Sequence, residues 1–427
     1  MSNILDELQW RGLIAQTTDR DALVEALAAG PVTFYCGFDP TAASLHHGHL
    51  VQLTLMRHLQ RAGHRAVALV GGATGLIGDP RMSGERTLND RETVAAWTAR
   101  LKEQISRFLD FSGDNPAILV DNLEWTAELS ALDFLRDIGQ HFRLSTMLAR
   151  ETVARRLQSE EGISYTEFSY QLLQAQDFLE LYRRHGCTLQ TGGNDQWGNL
   201  VGGVDLIRRV EGTAVHALTT PLVTKSDGTK FGKTEGGAVW LAPDMMSPYA
   251  FYQFWLNTED ADVLQFLKSF TFRNREEIEE LAEEVAERPF ARQAQRTLAR
   301  DVTALVHGPA AMERVERASQ ALFGRGDITE LDAETLGQAV AELPTASGAV
   351  GSEIVDLFAA TGLAQGRGAA RRTIAEGGAY LNNTKVTDPD YRLTGEDLLA
   401  GRWALLRRGR RTLAVIDTHA DPRATTS

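Results

Sequence analysis

The chain has 427 residues, of which 43% are hydrophobic and 24% are charged, and its net charge is −13. This composition is typical of a folded globular protein and excludes wholesale disorder, and the length predicts about three domains. No run of about 18 apolar residues is present, and the acidic, amphipathic N-terminus lacks the basic and apolar regions of a signal peptide. Two cysteines, Cys36 and Cys187, provide neither a disulfide framework nor a metal-binding set. We therefore expect no membrane segment and a reducing, cytoplasmic compartment.

The first half of the chain alternates helices and strands. The apolar residues of segments 3–29 and 50–60 recur at helical spacing. Runs rich in β-branched and aromatic residues predict strands at 32–38, 64–72, 117–120, 188–191 and 217–223. The first two strands with the helix between them form a βαβ unit, which implies a parallel sheet. The pattern predicts a doubly wound, Rossmann-like α/β domain over residues 1–247, with ligands at the carboxyl ends of its strands.

The second half has a different pattern. Residues 248–323 have an almost wholly helical period and predict an all-helical domain, and the acidic segment 324–349 predicts a linker. Residues 350–417 predict a small α+β module, followed by a flexible tail at 418–427. The module holds ten Lys and Arg against eight Asp and Glu, whereas the whole chain is acidic. This small positive excess favours a polyanionic partner.

Three histidines lie together at the predicted start of a helix, in the sequence His46-His47-Gly48-His49. The N–H groups and partial positive charge of a helix N-terminus favour phosphate, and imidazoles there can donate hydrogen bonds to a phosphoryl transition state. Gly48 allows a phosphate or a purine ring to lie close to the backbone. No Walker A sequence occurs, and no GxGxxG follows this strand. Two alternatives remain: a helix start whose polar groups are hydrogen-bonded to water, and a metal site formed by the three histidines.

Lysines are concentrated in one loop. The chain has only six, and Lys225, Lys230 and Lys233 fall within nine residues that also contain glycine and serine. Lysine acts as a point charge for phosphate oxygens, and polyphosphate transfer depends largely on positioning and charge stabilisation. The loop therefore predicts a mobile lid over phosphates. An exposed basic loop without a catalytic role is the alternative.

Two polar segments complete the candidate site. A glycine-rich turn after the fourth predicted strand carries Asp195, which can accept from ribose hydroxyls, and Gln196, which can donate to a carboxylate. Tyr170, Gln174 and Asp177 are spaced i, i+4 and i+7, so they share one face of a helix. Together they predict a polar ligand pocket. A simple glycine-rich turn and a solvated helix face are the alternatives.

Taken in order, these clusters resemble the bacterial tyrosyl-tRNA synthetases, which are class I aminoacyl-tRNA synthetases. The histidine cluster is similar to the HIGH signature of the class, with His47 in place of the usual apolar residue, and residues 230–234 are similar to its KMSKS signature. The stretch 35–41 is also similar to the family, and residues 350–417 resemble an S4-type RNA-binding module. The resemblance covers residues 30–417. It implies activation of L-tyrosine by ATP to tyrosyl-adenylate and pyrophosphate, followed by transfer of tyrosine to the 3′ end of tRNA.

The resemblance also implies a role for each candidate residue. Those expected to act on the ATP phosphates are His46, His49, Thr41, Lys230, Lys233 and Thr234. Those expected in the nucleotide site are Cys36, Gly37, Asp39, Gly48, Gly193, Asp195 and Lys233. The amino group of tyrosine would be bound by Asp79, Tyr170 and Gln174. Its carboxylate would meet Gln196, and its phenol hydroxyl would meet Tyr35 and Asp177.

Partners follow from the same resemblance. The helical domain would engage the anticodon arm of tRNA, and the S4-like module would bind RNA through Arg367, Arg371, Arg372 and Lys385. The family is homodimeric, which implies a two-fold symmetric interface. Mg²⁺ is expected to accompany ATP as part of the substrate, because no metal-ligand motif is present in the chain.

The sequence departs from the family pattern in one loop, and three other functions remain possible. The family often carries a lysine in the loop after the strand-end aspartate, whereas residues 80–86 contain none, which leaves Arg81 or Arg86 to supply the charge. A tryptophanyl or other class I synthetase would share most of these motifs. A nucleotidylyltransferase for a small metabolite would share the histidines and the lysine loop but would not need residues 248–417. A non-catalytic RNA-binding protein would use only the S4-like module.

Overall fold

The structure is a computed structural model that describes residues 3–81, 84, 87–229, 231–234 and 237–420, with residues 233 and 234 described by their backbone alone. The chain forms two compact units. The first comprises Met1–Met245 and Thr258–Leu298, and the second comprises Met246–Asn257 and Ala299–Ser427. Within the described ranges, no helix is both long enough and apolar enough to cross a membrane.

A six-stranded sheet forms the centre of the first unit. Its strands, in chain order, are β1 (Gln16–Thr17), β2 (Thr33–Phe38), β3 (Arg65–Val70), β4 (Ile118–Asp121), β5 (Cys187–Gly193) and β6 (His216–Thr220). The spatial order is β1-β6-β5-β2-β3-β4, and all neighbouring pairs are parallel except the edge pair of β1 and β6. The predicted doubly wound parallel sheet is confirmed. The strand order reverses between β2 and β5, and such a switch point is where ligands bind in open α/β sheets.

Helices connect these strands and continue through the rest of the chain. In chain order they are α1 (Ile4–Trp10), α2 (Arg20–Ala29), α3 (His47–Arg61), α4 (Arg91–Ile105), α5 (Leu123–Thr126), α6 (Ala131–Asp133), α7 (Leu144–Leu148), α8 (Glu151–Leu157), α9 (Tyr165–His185), α10 (Trp197–Glu211), α11 (Pro248–Leu256), α12 (Asp260–Phe270), α13 (Arg275–Glu287), α14 (Gln293–His307), α15 (Pro309–Leu322), α16 (Ala333–Ala341), α17 (Ile354–Ala360) and α18 (Arg367–Ala375). Two short strands, β7 (Lys233–Thr234) and β8 (Gly237–Ala238), pair as a hairpin in the first unit.

The helical stretch predicted at residues 3–29 is interrupted. The structure has α1 and α2 with the edge strand β1 between them, so the prediction of one continuous pattern was wrong. Gly12 has a φ of +71°, a left-handed conformation that glycine adopts readily and that ends a helix. The chain then pairs with β6 through Gln16 and Thr17, which are too few residues to give an alternating signal.

The long helix α9 supplies one wall of the site described below. It begins at the N-cap Ser164, whose hydroxyl accepts from the backbone N–H of Glu167, and ends at Gly186 in a left-handed conformation. Phe178 on this helix is fully buried in a cluster that also contains Tyr35 of β2. The helix therefore lies against the sheet, with Asp177 buried beside that cluster.

The second unit contains its own sheet and core. Its further strands are β9 (Thr345–Ser347), β10 (Ala379–Leu381), β11 (Thr384–Lys385), β12 (Trp403–Arg408) and β13 (Thr412–Asp417), in the spatial order β11-β10-β12-β13-β9. Helices α17 and α18 pack on this sheet around buried Phe358, Ile374 and Leu406. The small α+β fold predicted for the C-terminal part of the chain is therefore present.

The segment 324–349, predicted as a linker, contains ordered elements instead. It carries α16, whose N-cap Asp332 accepts from the backbone N–H of Thr335 at 2.8 Å, and β9, which pairs in parallel with β13. The sheet of the module thus begins before residue 350. A strand of three residues, Thr-Ala-Ser, is too short to produce a periodic signal, which is why the sequence pattern missed it.

One ion pair is buried deep in the first unit. Arg156 of α8 donates to Glu167 of α9 at 2.8 Å, and both side chains are at most 2% exposed. The same guanidinium donates to the backbone oxygens of Arg81 at 3.1 Å, Gly84 at 2.7 Å and Gly162 at 3.0 Å. Arg156 therefore joins the start of α9 to the loop that follows Asp79.

Replacing Arg156 by Met should lower the free energy of unfolding of the first unit by about 3–5 kcal/mol, because Glu167 would lose the buried cation with which it pairs. Urea denaturation followed by circular dichroism measures this change. Arg155→Met is the matched control, since Arg155 pairs with Glu151 at the surface and its loss should cost less than about 1 kcal/mol. Equal denaturation midpoints for the two variants would contradict this role for Arg156.

Candidate active site

A cavity of about 630 Å³ is lined by the carboxyl ends of β2 and β5, the start of α3 and one face of α9. The predicted site residues that line it are Tyr35, Cys36, Gly37, Asp39, Thr41, His46, Gly48, His49, Asp79, Tyr170, Gln174, Asp177, Gly193, Asp195 and Gln196. Residues that are far apart in the sequence are thus brought into one cavity by the sheet. Lys230 lies outside the described residues, and the side chains of Lys233 and Thr234 do too.

The histidine cluster caps α3. The backbone N–H of Gly48 donates to His46 Nδ1, and the backbone N–H of His46 donates to His49 Nδ1, each at 3.1 Å. Because Nδ1 accepts in both rings, the proton of each neutral imidazole is on Nε2. The two rings stack with centroids 4.0 Å apart. Burial lowers the pKa of His46 and, together with the neighbouring histidines, the pKa of His49. At neutral pH both rings are therefore uncharged hydrogen-bond donors.

His47 has a packing role. Its ring meets Phe231 edge-on, with centroids 5.4 Å apart, and burial lowers its pKa to about 4. Gly232 has a φ of +80°, and a Cβ at that position would lie 2.0 Å from the imidazole. The position after Phe231 therefore requires glycine. Phe231 also packs on Phe266 of α12, with centroids 4.3 Å apart, which holds this end of the lysine loop.

Asp177 is a buried carboxyl group in the wall of the cavity. It is fully buried and accepts hydrogen bonds from Asn122 Nδ2 and Trp125 Nε1, each at 2.9 Å. Burial raises the pKa of Asp177 to about 8, although the two donors act in the opposite direction. The Tyr35 hydroxyl is also buried, and it has no hydrogen-bond partner among the described residues. A donor and an acceptor thus lie at the same buried end of the cavity.

Asp39 connects the sheet to α9. Tyr170 donates to Asp39 Oδ2 at 2.7 Å, and Thr74 donates to Asp39 Oδ1 at 2.7 Å. Asn122 then donates to the hydroxyl of Thr74 at 3.0 Å while it also donates to Asp177. These bonds form one continuous polar network along the cavity wall, and they fix the carboxylates before any ligand is bound.

Asp79 and Gln196 face each other at another part of the cavity. Gln196 Nε2 donates to Asp79 Oδ2 at 2.9 Å and to Asp195 Oδ2 at 3.3 Å. Asn199 Nδ2 donates both to Asp79 Oδ1 at 3.3 Å and to Gln196 Oε1 at 2.9 Å. Gly193 lies close by, since a Cβ there would be 2.6 Å from Asp195 Oδ1. The carboxylates of Asp79 and Asp195 make this region acidic.

Cys36 lies in the same cavity as a neutral thiol. Burial raises its pKa to about 12, so it is not a nucleophile at neutral pH. Its Sγ lies 3.9 Å from Gln52 Oε1, and Gln52 donates to Thr220 at 2.6 Å. Cys36 is therefore suited to weak hydrogen bonding.

The lysine loop is described in part. Asp227 accepts from the backbone N–H and the hydroxyl of Thr229, which forms a tight turn, and Ser226 N–H donates to Asp262 of α12 at 2.7 Å. Beyond Phe231 the backbone forms the hairpin of β7 and β8. Gly228 and Phe231 line the cavity, so the described ends of the loop reach it.

The predicted RNA-binding residues belong to the second unit. Arg367 pairs with Glu353 and, at 2.6 Å, with Asp356, and Arg371 pairs with Asp390 at 2.6 Å. Arg372 and Lys385 are exposed, and neither makes an ion pair with any residue that the structure describes. The four residues therefore differ in whether their charge is already paired with a carboxylate or is available to bind a phosphate.

Sequence reasoning missed several residues of the site. They are Thr74, Asn122, Trp125 and Arg150, whereas Gln190 and Asn199 are the two ends of the glycine-rich segment that the sequence singled out, without a role of their own. Asn122 directly follows β4, and a polar residue at the end of a buried strand is a usable signal. Trp125 and Arg150 lie in short helical segments with no pattern that could have marked them.

Comparison with known proteins identifies the family. The family model described as tRNA synthetases class I (W and Y) matches residues 27–324, and the model described as Tyrosine--tRNA ligase SYY-like C-terminal domain matches residues 335–416. The tyrosine–tRNA ligase of Streptomyces coelicolor is 62% identical over 418 residues, which cover 98% of this chain and 99% of that protein.

Two solved structures agree with this result. They are C-terminally truncated mitochondrial tyrosyl-tRNA synthetases from Coccidioides posadasii, 33% identical with a TM-score of 0.66, and Aspergillus nidulans, 31% identical with a TM-score of 0.69. The first covers 74% of this chain and 92% of its own, and the second covers 76% and 95%.

These similarities decide between the functions that the sequence left open. The high identity extends over both units and is to tyrosine enzymes, which sets aside the tryptophanyl, nucleotidylyltransferase and non-catalytic alternatives. The chain belongs to the tyrosine–tRNA ligases, a family of class I aminoacyl-tRNA synthetases, and it is an enzyme with that activity.

Proposed function

We propose that the cavity performs tyrosine activation by positioning and charge stabilisation alone. The carboxylate oxygen of tyrosine attacks the α-phosphorus of ATP, the new O–P bond forms as the bond to the bridging oxygen breaks, and pyrophosphate leaves. The 3′-terminal ribose hydroxyl of tRNA then attacks the adenylate carbonyl and AMP leaves. The observation that carries this proposal is the single cavity shared by the buried Asp177 and the capping histidines. No protein nucleophile is required, which agrees with the raised pKa of Cys36.

Tyr35 and Asp177 are proposed to read the phenol hydroxyl of tyrosine. The Tyr35 hydroxyl can donate to the phenol oxygen, and Asp177 can accept the phenol proton. Both groups are buried, so phenylalanine would leave the Tyr35 hydroxyl without a partner and would remove the donor that the phenol offers to Asp177. Sites that bind a substrate hydroxyl in this way reject the analogue lacking it by about 10⁵-fold, a general magnitude for which the tyrosyl-tRNA synthetases are themselves the standard example.

The affinity for tyrosine should rise with pH toward about 8, because only the ionised form of Asp177 accepts the phenol proton. Below its pKa of about 8 the carboxyl holds a proton that binding must displace. The association constant should therefore increase by up to about tenfold per pH unit below 8 and then level off. Calorimetric titration of tyrosine between pH 6 and 8.5 measures it. Asp177→Asn should remove the rise, and a wild-type affinity that is flat over this range would contradict the role of the ionised carboxylate.

The α-amino and α-carboxyl groups of tyrosine are proposed to bind at the acidic region. Asp79 supplies a carboxylate for the ammonium group, with Tyr170 and Gln174 beside it on the cavity wall. Gln196 supplies an N–H to the carboxylate by releasing its longer bond, the one of 3.3 Å to Asp195. Asp195 is then able to accept from the ribose hydroxyls, and Gly193, Gly37 and Cys36 would line the nucleotide part of the cavity.

The phosphates are proposed to bind at the start of α3. His46 and His49 present neutral Nε2–H donors there, and the helix N-terminus adds the positive end of its dipole. Gly48 would let the nucleotide approach the backbone, Asp39 would lie beside the nucleotide, and Thr41 would lie near the terminal phosphates. Lys230, Lys233 and Thr234 would close over the leaving pyrophosphate. Donors aimed at charge that develops in the transition state raise the rate rather than the ground-state affinity.

Lys233→Ala should lower the rate of tyrosine-dependent ATP–pyrophosphate exchange at least about 100-fold, with a much smaller effect on the dissociation constant of tyrosine. Lys225→Ala is the matched control, because Lys225 lies in the same loop, does not line the cavity and is 3.9 Å from Glu259. Exchange at the wild-type rate in Lys233→Ala would contradict a catalytic role for this lysine.

Mg²⁺ is proposed to accompany ATP. In the described residues, no group of three or more His, Cys, Asp or Glu side chains is arranged to hold a metal ion. Asp39 and Asp79 are engaged by Tyr170, Thr74 and Gln196. The site therefore does not fit a metal held by the protein alone, and the ion belongs with the triphosphate oxygens. We also propose a cytoplasmic location, where the free thiols of Cys36 and Cys187 remain reduced.

The second unit is proposed to bind tRNA. Arg372 and Lys385 are exposed, without a carboxylate partner among the described residues, so they can contact phosphates directly. Arg367 and Arg371 would first have to exchange their carboxylate partners for phosphate. We therefore expect the S4-like module to contact tRNA mainly through Arg372 and Lys385. The helical residues 248–323 are proposed to bind the anticodon arm.

Neutralising Arg372 and Lys385 together, as Gln, should weaken binding of tRNA and lower the slope of log affinity against log salt by about 2. Neutralising Arg367 and Arg371 in the same way should have a smaller effect, because their charge is already balanced by Glu353, Asp356 and Asp390. Filter binding at several salt concentrations distinguishes the two pairs. Equal changes in the salt slope for the two double variants would show that the ion pairs of Arg367 and Arg371 do not determine which residues contact tRNA.

A homodimer is proposed from an apolar region of the first unit. Among the described residues, seven of the fourteen large apolar side chains that are exposed fall between 123 and 165. They are Leu123, Leu132, Leu135, Leu144, Leu148, Leu157 and Tyr165. Scattered exposed apolar residues are ordinary, but so many within one stretch of the chain favour an interaction surface there. A second copy of the chain is the proposed occupant, in agreement with a two-fold symmetric interface.

Sedimentation equilibrium should give twice the chain mass of 46.9 kDa for the wild type. Glu in place of both Leu132 and Leu144, which are 79% and 65% exposed, should shift the protein toward monomer. Phe290→Glu serves as the control, since Phe290 is 84% exposed but lies outside this region. A wild-type monomer, or a dimer unaffected by the double substitution, would contradict the proposed interface.

A further inference from the structure

A half-buried arginine outside the cavity is linked by hydrogen bonds to two residues inside it. Arg150, the N-cap residue of α8, donates from its guanidinium to Asn199 Oδ1 at 2.9 Å. Asn199 in turn donates to Asp79 at 3.3 Å and to Gln196 at 2.9 Å. Neither Arg150 nor Asn199 lines the cavity. Neither of them is therefore placed to touch a bound amino acid.

Arg150 holds the Asn199 amide from one side, and the oxygens of Asp79 and Gln196 hold it from the other. A guanidinium has donors and no acceptor, so the atom of Asn199 that faces it must be the side-chain oxygen. The amide nitrogen of Asn199 then points the other way and supplies two N–H groups, one to Asp79 and one to Gln196. With Arg150 absent, the Asn199 oxygen would lose its donor, and the amide would be held only by its bonds to Asp79 and Gln196, the first of which is long at 3.3 Å. The guanidinium thus adds a third bond that holds Asn199 in place as a double donor.

The fold leaves room for the guanidinium at this place. Two glycines of α10 lie beneath Arg150, and a Cβ on Gly202 would come within 3.0 Å of its Nη2, while a Cβ on Gly198 would lie 3.7 Å from its Cδ. The side chain therefore lies directly on the helix that carries Asn199. Its position is fixed by packing as well as by the hydrogen bond.

We propose that Arg150 is a positioning residue that acts through Asn199 to set the selectivity of the enzyme for the L configuration of tyrosine. Chirality at Cα is read by three fixed points, here the phenol hydroxyl, the ammonium group and the carboxylate. Asp177 and Tyr35 fix the first point, and Asp79 and Gln196 are the proposed second and third. Asn199 is hydrogen-bonded to both Asp79 and Gln196, so it holds their separation. The inference rests on the proposed roles of these two residues.

The test is ATP–pyrophosphate exchange with L-tyrosine and D-tyrosine, measured as the ratio of the two kcat/KM values. Arg150→Met should lower this ratio about tenfold, mainly through loss of activity with L-tyrosine. The loss of one hydrogen bond to a charged group typically changes an equilibrium or a rate by about this factor. The KM for ATP should change by less than about twofold. Arg150→Lys, which keeps a charged donor, should recover part of the ratio.

Two further variants keep the result unambiguous. Arg155→Met on the same helix is the control and should behave as the wild type, since Arg155 is exposed and pairs with Glu151. Asn199→Ala removes the intermediate amide without adding charge and should reproduce the loss, so the inference remains testable if Arg150→Met does not fold. An unchanged ratio in both Arg150→Met and Asn199→Ala, or equal losses with both enantiomers together with a raised KM for ATP, would overturn the inference.

Asp79→Asn and Gln196→Ala separate this inference from the function on which it rests. If these variants leave the ratio unchanged, the proposed binding of the ammonium group and carboxylate fails, and the inference fails with it. If they lower the ratio while Arg150→Met and Asn199→Ala do not, the binding roles stand and only the role of Arg150 is overturned.

Discussion

Burial of one carboxyl group, Asp177, is the constraint on which the rest of the site depends. An ionised carboxylate is costly inside a protein unless donors reach it, and here Asn122 and Trp125 supply one donor to each oxygen. Asn122 directly follows β4 and Asp177 is on α9, so the bond ties the sheet to the helix. Through Thr74 the same network continues to Asp39 and Tyr170. The end of the cavity that is proposed to bind the phenol is therefore built before tyrosine arrives.

The other end of the cavity uses donors that are neutral at rest. The N-cap geometry of α3 forces Nδ1 of His46 and His49 to accept, which leaves Nε2–H groups as donors without placing charge in a buried region. Positive charge is proposed to come instead from the lysine loop. This division agrees with a reaction that needs no nucleophile from the protein and draws its rate from transition-state contacts.

Much of this arrangement follows from the sequence, and the failures have physical reasons. The five parallel strands, the histidine cap and the polar face of α9 have strong local patterns, and the structure gathers their residues in one cavity. Residues such as Trp125 and Arg150 act through contacts with distant parts of the chain, which no local pattern records. The strands β1 and β9 have two and three residues, too few for a period-two signal. The roles of the individual site residues remain predictions that geometry supports.

The central claim is that tyrosine is recognised by a buried donor and acceptor for its hydroxyl. The most direct measurement is ATP–pyrophosphate exchange with tyrosine, phenylalanine and tryptophan, without tRNA, for the wild type and Asp177→Asn. The account predicts exchange with tyrosine alone in the wild type, and a tyrosine-to-phenylalanine ratio of kcat/KM at least about 100-fold lower in the variant, since one buried partner of the hydroxyl is changed. A ratio that is the same in both proteins would show that Asp177 does not read the phenol.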